Sequence, residues 1–164
     1  MRKALDGLYG TAGAAAALLV IAVAVLVLTQ IASRMLNADV PGVDDIAGYC
    51  LAGASFLALA PTLKHGAHIR VSLLIEKLGA KPAWWCDVFS LALGLLLTLY
   101  FTWSCIDFVW DSYRFAEVSH GMIATPLWIP RLVLPAGLAV LAIAFLDEIF
   151  RVAKGGRLHS GAAH

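Results

Sequence analysis

"GLYGTAGAAAALLVIAVAVLVLTQIAS", residues 7–33, contains no lysine, arginine, aspartate or glutamate. An α-helix of about 20 apolar residues crosses a bilayer, because its backbone hydrogen bonds close internally and lipid asks nothing more of it. This run is longer than that. A secretory leader has an apolar core of only about 7–15 residues, so the stretch is expected to be an uncleaved first span rather than a signal peptide. Composition agrees along the whole chain. Of 164 residues, 61% are hydrophobic and only 14% charged, against about 25% charged in water-soluble domains. Mean hydropathy is +0.84. Too few charges are present to coat a soluble fold, and lipid is the expected surround.

Three further apolar stretches follow. The connector "RMLNADVPGVDD" carries the turn signal Pro41-Gly42, and Asp44 or Asp45 is placed to cap the next helix. Residues 46–63 are uncharged and rich in small side chains, with Gly48 and Gly53 among them. Small residues let membrane helices approach closely, since contact rather than hydrophobicity drives association in lipid. Pro61 is expected to bend the last turn. "LALGLLLTLYF", residues 91–101, lies at the centre of the third span, with Trp84 and Trp85 at one end and Trp110 and Tyr113 at the other. Such aromatics anchor spans at the headgroups. The fourth, "MIATPLWIPRLVLPAGLAVLAIAFL", begins with Pro126, Trp128, Pro130 and Arg131; Pro135 should kink it unless the helix starts late.

The expected architecture is therefore all-α, a single membrane domain over 1–164 with spans near 10–33, 45–63, 84–108 and 126–149. A short amphipathic interfacial helix is expected at 69–79, between spans two and three, where Ile69, Leu73, Leu74 and Leu78 share a face. Residues 150–164 read as a tail. Basic residues set the orientation. Arg2 and Lys3, then Lys64, Arg70, Lys77 and Lys81, then Arg151, Lys154 and Arg157 all fall on one side. Both termini are expected in the cytoplasm.

Functional chemistry is sparse. No ionisable residue lies in the middle of spans one to three, where a carrier's polar machinery would be costly and therefore informative. Asp107 and Asp111 close span three and Arg131 opens span four, so an Asp–Arg contact is one candidate and separate solvation the other. The five histidines sit at boundaries or in the tail, which argues against haem. Cys50, Cys86 and Cys105 form no CxxC pair. No nucleophile–base–acid set and no phosphate loop is present. The chain is expected not to be an enzyme and to carry no catalytic, metal or cofactor site. Net charge is only +1, and no nucleic-acid partner is expected. His65 and His68, in "LKHGAHIRVSLL", are three apart but lack a further ligand. With Lys64 and Arg70 they read as a membrane-edge hinge meeting anionic headgroups.

Two segments carry a family resemblance: "FLALAPTLKHGAHIRVSLL", residues 56–74, and "AEVSHGMIATPLWIPRLVLPAGLAVLAI", residues 116–143. With the four-span plan, they resemble the small, DctQ-type permease subunit of TRAP transporters, the tripartite ATP-independent periplasmic carriers. The match rests on Glu117, Ser119, Gly121, Pro126, Trp128, Pro130 and Pro135. The resemblance implies a non-transporting scaffold in the bacterial or archaeal inner membrane. Its partners would be membrane lipids, a large multi-spanning elevator-type permease and a periplasmic solute-binding protein. Sodium and substrate, an organic acid such as a carboxylate or sialic-acid-like solute, would bind mainly on the large subunit. Gly48, Gly53, Trp84, Trp85, Asp107, Asp111, Glu117, Ser119, Gly121, Trp128 and Arg131 are the interface candidates. An independent homo-oligomeric small carrier is the alternative.

Overall fold

The computed structural model of the chain describes residues 2–38, 40–64, 80–119 and 124–153. It is all-α: α1 (Arg2–Met35), α2 (Val43–Lys64), α3 (Ala80–Arg114), a single turn α4 (Trp128–Arg131) and α5 (Val133–Ala153). Four stretches, Leu5–Met35, Val43–Lys64, Trp84–Arg114 and Trp128–Ala153, are long and apolar enough to cross a membrane. The helices run past the apolar runs that define the spans. α5 continues through residues 150–153, where the tail was expected to start. The amphipathic segment 69–79 and residues 154–164 lie outside the described residues.

Helix ends follow local chemistry. α1 stops where Asn37 takes φ 52°, with Ala38 N–H on the Ser33 carbonyl and Asn37 N–H on that of Arg34. α3 stops in the same way at Ala116, φ 47°, with Glu117 N–H on Ser112 and Ala116 N–H on Tyr113. Both are Schellman reversals, which satisfy the last carbonyls through a left-handed residue. Gly42, φ 79°, completes the turn after Pro41. Asp44 and Asp45 do not cap α2. They lie inside its first turn, where their charge complements the helix dipole. Pro135 is the third residue of α5, a position whose amide would be unpaired in any helix.

The spans form a row rather than a closed bundle. α1 packs on α2, α2 on α5, and α5 on α3; α3 has no substantial packing against α1 or α2 among the described residues. Small residues make these approaches close. A Cβ at Gly137 would stand 2.7 Å from the Phe56 carbonyl carbon, and one at Gly53 would meet Leu19 at 3.1 Å and Val133 at 3.3 Å. Ala60 and Ala144 pack with Tyr9 where α1, α2 and α5 converge. Hydroxyls inside the spans turn back on their own helix. Ser55, Thr62, Thr98 and Thr102 donate to carbonyls four residues earlier, so lipid meets no unpaired hydroxyl at these positions.

Candidate functional site

The polar side chains gather at the two ends of the row. At the end holding Arg131, the reversal at Ala116 brings Glu117 back beneath the last turn of α3. Val118 pairs with Pro126 in an isolated antiparallel bridge. Ser119 N–H reaches the Thr125 carbonyl at 2.9 Å and Leu127 N–H that of Glu117 at 3.0 Å. This closes the loop and delivers the chain into α4, whose last residue is Arg131. The Arg131 guanidinium then meets Glu117 Oε2 at 2.5 Å and donates to Ser112 Oγ. Its Cζ lies 4.0 Å from the centroid of the Phe108 ring. Ser112 is buried, with its hydroxyl 2.8 Å from the Phe108 carbonyl and 3.2 Å from Glu117 Oε2. It has one proton to give to either acceptor, while its lone pair receives the guanidinium.

Arg131 is thus neutralised by a carboxylate, hydrogen-bonded by a hydroxyl and stacked on an aromatic face, which together offset the cost of a cation at a membrane boundary. Its carboxylate partner is Glu117, not Asp107 or Asp111; both of those are exposed. Beside the cluster, Trp128 meets Tyr113 edge-on at 5.8 Å. Ser119 donates to Asp45 at 3.3 Å and Gln30 to Asp44 at 2.6 Å, so hydrogen bonds run across this end from α1 through α2 to the loop.

At the opposite end, where α1 begins and α5 finishes, Lys64 pairs with Asp6 and lies 5.1 Å from the Tyr9 ring centroid. Arg151 Nε donates to Glu148 at 3.0 Å. Trp84 Nε1–H reaches the Val152 carbonyl at 3.4 Å, fastening α3 to α5, and Trp85 stacks edge-on against Trp84.

The glycines separate. Gly48 faces open space, whereas Gly53 is enclosed by this chain's own α1 and α5, so only Gly48 is free to meet a partner. Gly121, His65, His68 and Arg70 lie outside the described residues. Ser112 and Phe108, which hold Arg131, carry no distinguishing signal in the sequence; a serine one turn after a phenylalanine near a span end is too common a pattern to single out. Among the described residues no group of three His, Cys, Asp or Glu side chains could hold a metal ion. An open, apolar groove of about 550 Å³ runs between α1 and α2 past Gly13, Ala54 and Pro61. Every ionic contact described is a charge paired with its neighbour. The Lys64–Asp6 pair ties α1 to α2, and the Arg131–Glu117 pair ties α4 to the loop after α3.

Compared with known proteins, the chain matches a family model described as "Tripartite ATP-independent periplasmic transporters, DctQ component" over residues 11–155. No curated protein and no solved structure matches it.

Proposed function

Because the chain belongs to the DctQ-component family of tripartite ATP-independent periplasmic transporters, and is thus a small multi-pass inner-membrane subunit of such a transporter and not an enzyme, we propose that it is a fixed scaffold beside a larger, elevator-type permease. The observation that carries this reading is the filling of the row's interior. Gly137 against Phe56, Gly53 against Leu19 and Val133, and Ala60 against Ala144 bring the helices together through small residues. The groove between α1 and α2 is open and apolar, unsuited to a charged solute. An elevator needs a stationary part against which another moves. A row whose ends are laced by ion pairs and hydrogen bonds suits that stationary part.

In this reading the larger permease binds sodium and an organic acid, and a periplasmic binding protein delivers the acid. Both termini lie in the cytoplasm, in keeping with the basic residues at that end. The end carrying Asp45, Glu117, Ser119 and Arg131 then faces the periplasm and helps dock the binding protein. The test is uptake of a labelled organic acid into proteoliposomes under a sodium gradient. Uptake is expected when this chain, the larger permease and the binding protein are all present, and none with this chain alone. Uptake by the chain alone would instead establish the independent small carrier.

A further inference from the structure

The two edges of the row differ in chemistry. α1 presents Leu18, Ile21, Val25 and Leu28, an aliphatic stripe that lipid tails cover well. α3 lies at the other edge, and among the described residues only one of its sides is packed: Leu91, Gly94, Thr98 and Ser112 line the side toward α5 and its approach. The opposite side carries Trp85, Phe89, Leu96, Tyr100, Trp103 and Asp107, spaced four, seven, four, three and four residues apart and all exposed. This stripe runs from one aromatic girdle of the span to the other, so an occupant that covers it must itself cross the membrane.

Three of these side chains are ill suited to lipid. With the span centred between Trp84–Trp85 and Trp110–Tyr113, Tyr100 lies about 3 Å, Trp103 about 8 Å and Asp107 about 14 Å from the midplane. The hydrocarbon half-thickness is about 15 Å. Tyr100 is 65% exposed and Trp103 74% exposed. Among the described residues none of the three has a hydrogen-bonding or ionic partner. Hydrocarbon offers no acceptor to the tyrosine hydroxyl or the indole N–H, and no counter-charge to a carboxylate at its rim. A protein helix supplies all of these.

We propose that the outward face of α3 is the docking surface for a membrane-spanning helix of the transporter's larger permease. That helix would present hydrogen-bond acceptors opposite Tyr100 and Trp103 and a lysine or arginine opposite Asp107. The inference rests on the scaffold reading above and names the surface through which it acts. The aliphatic α1 edge is left to lipid.

The test uses the intact complex in native membranes. A photo-crosslinking amino acid is placed singly at Phe89, Leu96 or Trp103 on α3, and at Ile21 or Val25 on α1. Crosslinks to the larger permease are expected from the α3 positions and not from α1. In parallel, Asp107→Arg is expected to lower the amount of permease co-purified with the chain by about tenfold or more, with the variant still monodisperse. Tyr100→Phe, which removes only the hydroxyl, is expected to lower it less. The inference is overturned if the unaltered chain co-purifies the permease while crosslinks come from α1, or while α3 crosslinks only lipid or a second copy of this chain. If the unaltered chain fails to co-purify the permease, the scaffold reading falls, and this inference with it.

Discussion

Gly137 of α5 lies against the main chain of Phe56 of α2, so close that a Cβ on Gly137 would stand 2.7 Å from the Phe56 carbonyl carbon and 2.8 Å from its oxygen. A main chain inside a helix cannot step aside as a side chain can. Gly137→Ala should therefore separate α2 from α5 and destabilise the chain by about 1–3 kcal/mol, the usual cost of overpacking. Gly94 provides the comparison. A Cβ there would meet the Phe145 ring at 2.7 Å, and a ring edge can rotate away. Thermal unfolding in detergent should give a clearly larger loss for Gly137→Ala than for Gly94→Ala; equal losses would contradict the main-chain contact.

Gly48 and Gly53 should part company on substitution by leucine. At Gly53 the new side chain collides with Leu19 and Val133 within the same chain. Gly53→Leu is expected to lower the unfolding temperature of the isolated subunit. Gly48→Leu enters open space and should leave that temperature nearly unchanged. Any effect of Gly48→Leu on co-purification of the permease then reports on the partner contact alone, which the Gly53 variant cannot do.

The Arg131–Glu117 pair is partly exposed, with side-chain accessibilities of 22% and 43%. Its coupling should sit near the upper end of the range for accessible pairs, about 1 kcal/mol. Glu117→Gln leaves the guanidinium with Ser112 and the Phe108 ring but without counter-charge. Arg131→Met leaves the carboxylate behind. A double-mutant cycle on thermal stability is expected to show the double variant costing less than the two singles added together; strict additivity would mean that the pair contributes nothing.

Ala116 occupies a position that ordinarily belongs to glycine, with φ 47°. A Cβ in the left-handed region costs about 1 kcal/mol, so Ala116→Gly should relieve strain at the end of α3. The expected result is a small rise in unfolding temperature, with the Glu117–Arg131 contact kept. A fall would show that the added freedom of the unfolded glycine outweighs the relief.

The spans could be read from the sequence because length and apolarity alone define a membrane crossing, as in residues 7–33. Their neighbours in space could not. Residues such as Leu18, Val25 and Leu28 make α1 apolar nearly all round, so none of its faces announces whether it meets lipid or protein. The order α1, α2, α5, α3 comes instead from Gly137, Gly53 and Gly94, three glycines with nothing local to distinguish them from Gly48. The partner of Arg131 was hidden for a different reason. Asp107 and Asp111 are nearer the end of the third span, yet the chain reverses at Ala116, and an alanine there gives no sign of a left-handed turn. The start of α2 is more legible: Pro41-Gly42 marks the turn, although Asp44 and Asp45 lie inside the first turn of the helix rather than capping it.

That α3 depends on α5 for its packing also bears on how the subunit is made. Synthesis proceeds from the amino terminus, so α1 and α2 can pair as soon as both have entered the membrane. α3 emerges third, and its lasting neighbour within the chain is still on the ribosome. At about 5–20 residues per second, it waits for roughly a few seconds before α5 arrives. During that interval both its sides are open to lipid or to the insertion machinery, and the final span acts as a latch that seats a helix inserted before it.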